Sequence, residues 1–258
     1  MNTSAVKLLI FAGSDGDGGH LGDASGAWPE LLKAAVFEQH RIELEVTYRR
    51  LYVHAEGWAD YFEKTLDATR PDIIIVCVNG VSWSFKTVPI RLRKWFGSGA
   101  GKWAERRQQQ IDRGAKSSRP REYLARGVHW TVRRVIPAGT YMSRASAEAR
   151  WLQVIDRVAR EEEAFVVIGS KVDQRGELLK AWPRLNEEIA RHNAVLRRRS
   201  EERHLVWFDR EAILRELGDE LAFLEDRVHR QEPFHVLMAA RMLDAIRPAL
   251  EGHTARVG

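Results

Sequence analysis

Three side chains, one of them more than two hundred residues before the other two, have the types and spacing of a nucleophile with its base. Ser14 is the first hydroxyl after the apolar run Leu8 to Ala12, which ends in Gly13. Nothing polar interrupts that run, so it predicts a strand buried on both faces. Glycines at 13, 16, 18, 19 and 22 predict a turn with little side-chain bulk, and Gly26 to Phe37 then reads as a helix. A serine at the carboxyl end of a central strand, with bare backbone around it, is placed for nucleophilic attack. Such a serine needs a base, and the base needs an orienting group. His229 has Asp226 three residues before it, in Glu-Asp-Arg-Val-His-Arg-Gln-Glu-Pro. In a loop from Phe223 to Pro233 that spacing lets the carboxylate accept from the ring Nδ1–H and leaves Nε2 to take a proton. Taken singly, each motif also fits something plainer: a common strand-to-helix turn, or a solvated loop with an incidental Asp and His. His20, His54, His129 and His235 have no such partner at a loop position and read as structural or exposed.

The glycine-rich turn is not a nucleotide site. A phosphate-binding loop needs a lysine followed by Ser or Thr after its second glycine, and none is present. In Gly16-Asp-Gly18-Gly19-His20-Leu21 a leucine stands where a dinucleotide fingerprint has its third glycine.

Five strand patterns position these residues: Lys7–Ala12, Glu43–Tyr48, Asp72–Val78, Phe165–Gly169 and His204–Asp209. Helical patterns alternate with them. Trp28, Leu31, Leu32, Ala35 and Val36 share one face; Trp58, Phe62 and Leu66 share another, in a helix that Pro71 stops. Trp151, Leu152, Ile155 and Val158 lead into the fourth strand, and Leu185, Ile189, His192 and Leu196 into the fifth. A last helix is expected to present Val236, Ala240, Leu243 and Leu250. Strict alternation implies a parallel sheet with helices on both faces, where ligands sit beyond the carboxyl ends of the strands. The expected fold is therefore α/β: a three-layer α/β/α domain of flavodoxin-like type over residues 1–258. Residues 84–146 break the rhythm and read as a basic helical insertion or lid.

Composition narrows the class. A chain of 258 residues with 44% hydrophobic and 30% charged residues suits a globular protein with a substantial core. The single cysteine, Cys77, excludes an internal disulfide and a cysteine-rich metal site, and its apolar surroundings predict an inert buried thiol. There is no secretory signal pattern and no run long enough to span a bilayer, so a cytoplasmic location is expected. Net charge is +5 and unevenly spread: between Lys86 and Arg134 fourteen basic residues face only Glu105, Asp112 and Glu122.

With these residues in place, the chain resembles the SGNH or GDSL hydrolases. A strand ends in Ala-Gly-Ser where that family has Gly-Asp-Ser, and Gly-Ala-Trp-Pro-Glu-Leu-Leu comes after it. Pro-Asp-Ile-Ile-Ile-Val is similar to the family's third block, and Arg-His-Asn-Ala-Val-Leu to the helix before its last strand. Asp-Arg-Val-His with Phe-His-Val-Leu-Met-Ala-Ala-Arg-Met-Leu behind it resembles the fifth block. The match covers residues 6–83 and 147–250. It implies a serine hydrolase of carboxylic esters or thioesters, with Ser14 as nucleophile, His229 as general base and Asp226 orienting it. It also implies an oxyanion hole from the amides of Ser14 and Gly57 and an asparagine side chain. The third block departs here: Asn79-Gly80-Val81-Ser82 puts valine in the asparagine's slot, which leaves Asn79, or Ser82, to supply the donor. No metal or organic cofactor is implied. The alternatives are an acyltransferase using the same triad, or a weakly active module that binds through its basic insertion.

The insertion has three readings: a solvated helical surface, a site for an anionic partner, or a nucleic-acid surface using Trp95, Trp103 and Trp130. The second would place CoA, an acyl carrier protein or a lipid headgroup at Arg91, Arg93, Lys94, Lys102, Arg106 and Arg107. Nucleic acid is the least favoured of the three.

Overall fold

Five parallel strands run side by side in the order β2-β1-β3-β4-β5. They are β1 (Val6–Ala12), β2 (Leu44–Arg50), β3 (Ile73–Cys77), β4 (Phe165–Gly169) and β5 (Val206–Phe208). The structure is a computed structural model and describes residues 5–13, 24–79, 81–84, 97, 99, 140–175, 179, 182–224 and 230–257. The helices among them are α1 (Trp28–His40), α2 (Trp58–Thr69), α3 (Val81–Ser84), α4 (Arg144–Val158) and α5 (Leu185–Glu202). Then come α6 (Arg210–Leu217), α7 (Asp219–Ala222) and α8 (Glu232–Val257). Residues 1–80 and 148–258 make one compact unit and 81–147 a second.

In the first unit, the central strand sorts the core by alternation. Leu8, Ile10 and Ala12 belong to a cluster with Trp28, Leu32 and Val36 of α1 and Met238, Met242 and Ile246 of α8. Leu9 and Phe11 point the other way, into a cluster with Phe62 and Leu66 of α2, Trp151 and Ile155 of α4, and Leu196 of α5. This is the three-layer, flavodoxin-like architecture that the alternation of elements predicts. Each fully buried Leu, Ile or Phe contributes about 1.5–3 kcal/mol, so β1 and β3, buried along nearly their whole length, anchor the fold.

The helix ends have local causes. Pro29 sits in the first turn of α1, where no amide donor is needed. The Trp28 N–H donates to His235 Nδ1 at 3.3 Å, so the buried His235 of α8 is a structural cap for α1. Gly57 begins α2 in the left-handed region (φ 69), a conformation that favours glycine. The Asp209 carboxylate accepts from the Glu211 N–H at 3.0 Å and starts α6, which Gly218 ends.

Two expectations are corrected. The last helix does not bury Val236 and Ala240. Val236 is 52% exposed and Ala240 is exposed, while Phe234, His235, Met238, Ala239, Met242 and Ile246 are buried with Leu243 and Leu250. The fifth strand is short, and beyond Phe208 the chain turns helical through α6 and α7.

In the second unit, Ser143 caps α4: its Oγ accepts the Ser146 N–H at 3.0 Å and lies 2.8 Å from the Ser146 hydroxyl. The Met142 N–H donates to the Ser82 carbonyl at 3.0 Å. The basic residues Arg91, Arg93, Lys94, Lys102, Arg106 and Arg107 lie outside the described residues.

Candidate active site

The carboxyl edge of the sheet is where the strands hand over to their loops, and the first three hand over together. Gly13, buried, closes β1. Leu51, just after β2, donates its N–H to the Ala12 carbonyl at 3.3 Å. The Tyr48 hydroxyl of β2 donates to the Gly13 carbonyl. From the other side of β1, Asn79 comes after β3, and its Nδ2 donates to the Leu51 carbonyl at 2.5 Å. Asn79 Oδ1 is buried and makes no hydrogen bond among the described residues. The segment that Asn79 grips runs on from Leu51 to Gly57 and is held again at Val53, whose carbonyl accepts from Arg150 Nη1 at 2.5 Å. One of the two Asn79 amide hydrogens is therefore committed to Leu51, and the other has no acceptor among the described residues.

Gly57 and Asn79 are thus placed on the loops after β2 and β3, the two neighbours of the strand that leads into Ser14. Ser14 itself, Asp226 and His229 lie outside the described residues. The chain on both sides of the Asp226–His229 segment is described. Phe223 and Arg230 pair as an antiparallel bridge, and the Gln231 N–H donates to the Ala222 carbonyl at 3.1 Å. Gln231 Nε2 donates to the Glu220 carbonyl at 3.0 Å and to the Phe223 carbonyl. The Arg230 guanidinium stacks 4.0 Å from the Phe223 ring centre and 5.3 Å from that of Phe234.

A polar group that the sequence does not announce lies beyond β4 and β5. Arg210, 3% exposed, donates from Nε to the Ser170 carbonyl and from Nη2 to the Val78 carbonyl, each at 2.6 Å. It thereby ties the ends of β3 and β4 to the first residue of α6. Gly169 leaves it room: a Cβ there would come within 3.2 Å of Cys77 Sγ and 3.4 Å of Arg210 Cδ. Lys171 is fully buried beside it, and Asn193 of α5 bonds both the Lys171 N–H (3.0 Å) and its carbonyl (2.7 Å). Burial pushes the Lys171 ammonium down to about 7; Arg210 and Arg230 push the same way, against Asp173 and Glu211. Burial also raises the Asp173 carboxyl, with help from Glu211. Arg175 binds this corner to the helices, at 2.8 Å from Glu211 and 2.9 Å from Asp219. The local signal for α6 was present as Asp209, an apolar Ile213-Leu214-Leu217 face and Gly218. No sequence signal marks the buried cations, because their partners are distant in the chain.

No family model and no curated protein matches the chain by sequence. Solved structures do match by shape. Axe2, an acetylxylan esterase from Geobacillus stearothermophilus, superposes with a TM-score of 0.57 at 13% identity, over 95% of this chain and 96% of that one. TesA matches with a TM-score of 0.54 at 14% identity, over 96% of this chain and 99% of that one. The fold is that of the SGNH/GDSL hydrolases. A third match is the psychrotrophic esterase EstA from Pseudoalteromonas sp., in a form inhibited by monoethylphosphonate. It has a TM-score of 0.53 at 10% identity, over 95% of this chain and 98% of that one. At these identities the likeness to the SGNH/GDSL enzymes is one of fold.

Proposed function

We propose that the protein is a serine hydrolase that cleaves a carboxylic ester or thioester through an acyl-enzyme on Ser14. The observation that carries this reading is the end of β1. Strand β1 ends at the carboxyl edge of the sheet, where the Asn79 amide after β3 holds the loop that leads from β2 to Gly57, and in the sequence Ser14 comes next after Gly13. In the proposed reaction Ser14 Oγ attacks the acyl carbon while His229 Nε2 takes its proton. The negative charge that develops on the carbonyl oxygen is held by the amides of Ser14 and Gly57 and by the Asn79 side chain. Asp226 accepts from the other ring nitrogen and stabilises the imidazolium. His229 then gives the proton to the departing alcohol or thiol. A water molecule repeats the attack on the acyl-enzyme and releases the acid.

The shared fold with two named esterases supports the reaction class, and the phosphonate-inhibited form of EstA suggests the reagent for the test. A fluorophosphonate probe is expected to label wild type and leave Ser14→Ala unlabelled. Absence of wild-type labelling, or equal labelling of the two proteins, removes Ser14 from the nucleophile's role. A panel of p-nitrophenyl esters and acyl-CoA thioesters then separates the two bond types. Labelling that depends on Ser14, with no turnover on either panel, transfers the proposal to an acyltransferase with another acceptor.

A further inference from the structure

The loop from β2 to α2 carries Gly57 at its end, and one side chain touches the chain on both sides of that glycine. Leu51 and Val53 are buried and alternate with the half-buried Tyr52 and His54. The Ala55 N–H then donates to the Tyr52 carbonyl at 2.9 Å, and this turn brings the chain out to Ala55, Glu56 and Gly57, all exposed. The two sides of Gly57 are held differently. Its carbonyl accepts the Tyr61 N–H at 3.0 Å and so belongs to the first turn of α2. Its N–H, in the peptide unit shared with Glu56, donates to no acceptor among the described residues, and a Cβ on Gly57 would meet nothing within 4 Å. A peptide unit is planar, so the direction of that N–H follows from how residues 53–56 arrive. Arg150 of α4 holds both ends of this approach. Its Nη1 donates to the Val53 carbonyl at 2.5 Å, and its guanidinium lies 6.0 Å from the centre of the Trp58 ring.

We infer that Arg150 is a positioning residue for the Gly57 oxyanion donor: by holding Val53 before the glycine and Trp58 after it, it sets where the Gly57 N–H points. The inference rests on the proposed role of Gly57 in the oxyanion hole. A guanidinium suits the task, because one planar group offers a charged donor along its edge and a flat face to a ring. The exposed tip at Ala55–Gly57 has no buried side chain of its own, so its order depends on its flanks. Arg150 acts through the glycine and transfers no proton. Its effect appears where negative charge grows on the substrate oxygen, which is in the transition state rather than in binding. An oxyanion donor that must be reoriented at that moment has lost its preorganisation. Asn79 does not substitute for Arg150, because it holds the Leu51 carbonyl, ahead of the turn at Tyr52–Ala55.

Arg150→Met keeps the length of the side chain and loses both contacts, while Arg150→Lys keeps a charged donor for the Val53 carbonyl and loses the flat face. With p-nitrophenyl acetate, Arg150→Met is expected to lower kcat roughly 10- to 100-fold and to leave KM within about twofold. Arg150→Lys is expected to recover part of that loss. The fluorophosphonate labelling rate is expected to fall in the same order, because the phosphoryl oxygen uses the same donors. Gly57→Ala strains the left-handed residue itself and moves the same amide. Adding Arg150→Met to it is therefore expected to cost much less than Arg150→Met costs alone. Thermal unfolding read by circular dichroism is expected to keep the variants folded at the assay temperature. Wild-type kcat and labelling rate in Arg150→Met would overturn the inference. So would losses that multiply in the double variant, a fall in kcat that only tracks the fraction unfolded, or one that appears in KM. Failure of the underlying reading looks different: Ser14→Ala would label as wild type does, whatever residue 150 is.

Discussion

Lys171 is a base buried among charges of both signs, and its titration makes stability depend on pH. In the unfolded chain its ammonium keeps its proton up to about 10.5; in the folded protein burial first, then Arg210 and Arg230, bring that down to about 7. Between these two values the unfolded chain binds more protons than the folded one, so stability rises with pH across that window. Below pH 7 the cost of a charged, buried ammonium is present in full. One proton difference gives a slope of at most about 1.4 kcal/mol per pH unit. Urea unfolding at pH 6, 7.5 and 9 is expected to show wild type gaining stability relative to Lys171→Met between 7.5 and 9. Parallel curves for the two proteins would mean that Lys171 does not titrate there. Arg210 beside it is a different kind of residue. Its guanidinium serves two strand-end carbonyls, and its neighbour Gly169 supplies the space.

At the scale of elements, α6 is held by its cap. Asp209 accepts the Glu211 N–H at its start and pairs with Arg215 at 2.9 Å one turn further on. Asp209→Ala is expected to cost about 0.5–2 kcal/mol, nearly all of it from the cap, since an exposed ion pair adds little. A urea midpoint unchanged from wild type would refute the cap. The sequence pattern placed this aspartate at the end of the fifth strand, and so α6 went unread: the apolar Val-Trp-Phe run and the helical pattern after it share Asp209 as a boundary. Four of the five strands were legible as compact apolar runs and β2 as an alternation of Leu44, Val46 and Tyr48 with polar residues, and β4 has the bounds that its pattern predicts. The face of α8 was not. Apolar residues occupy so many of its positions that no single stripe stands out, and contact with α1 selects the one through Met238, Met242 and Ile246. The polar interior of the site was equally hidden. The bond from Arg210 to the Val78 carbonyl spans 132 residues, and no local spacing encodes it. Tyr48 read as one more strand residue, because its partner is a backbone carbonyl rather than a side chain.

For the whole molecule, the order β2-β1-β3-β4-β5 grades the sheet from centre to edge. β1 and β3 are paired on both sides and covered on both faces, whereas β5 has three residues and one described neighbour. Amides of Leu8–Phe11 and Ile73–Val76 are therefore expected to exchange hydrogen only through global unfolding, and those of Val206–Phe208 through smaller openings. Native-state hydrogen exchange in low urea measures this directly. Equal or greater protection in β5 would contradict it. The same topology has a consequence for synthesis. Strands β1, β2 and β3 can assemble as soon as residue 77 is free of the ribosome, but the partner that covers the outer edge of β3, Phe165–Gly169, is made much later. At 5–20 residues per second the intervening stretch takes roughly 5–20 s to translate. For that time the nascent chain presents Ile73–Cys77, an uncharged and fully apolar strand, with one row of backbone donors and acceptors open. Until Phe165–Gly169 is made, that edge is a ready template for pairing with another chain.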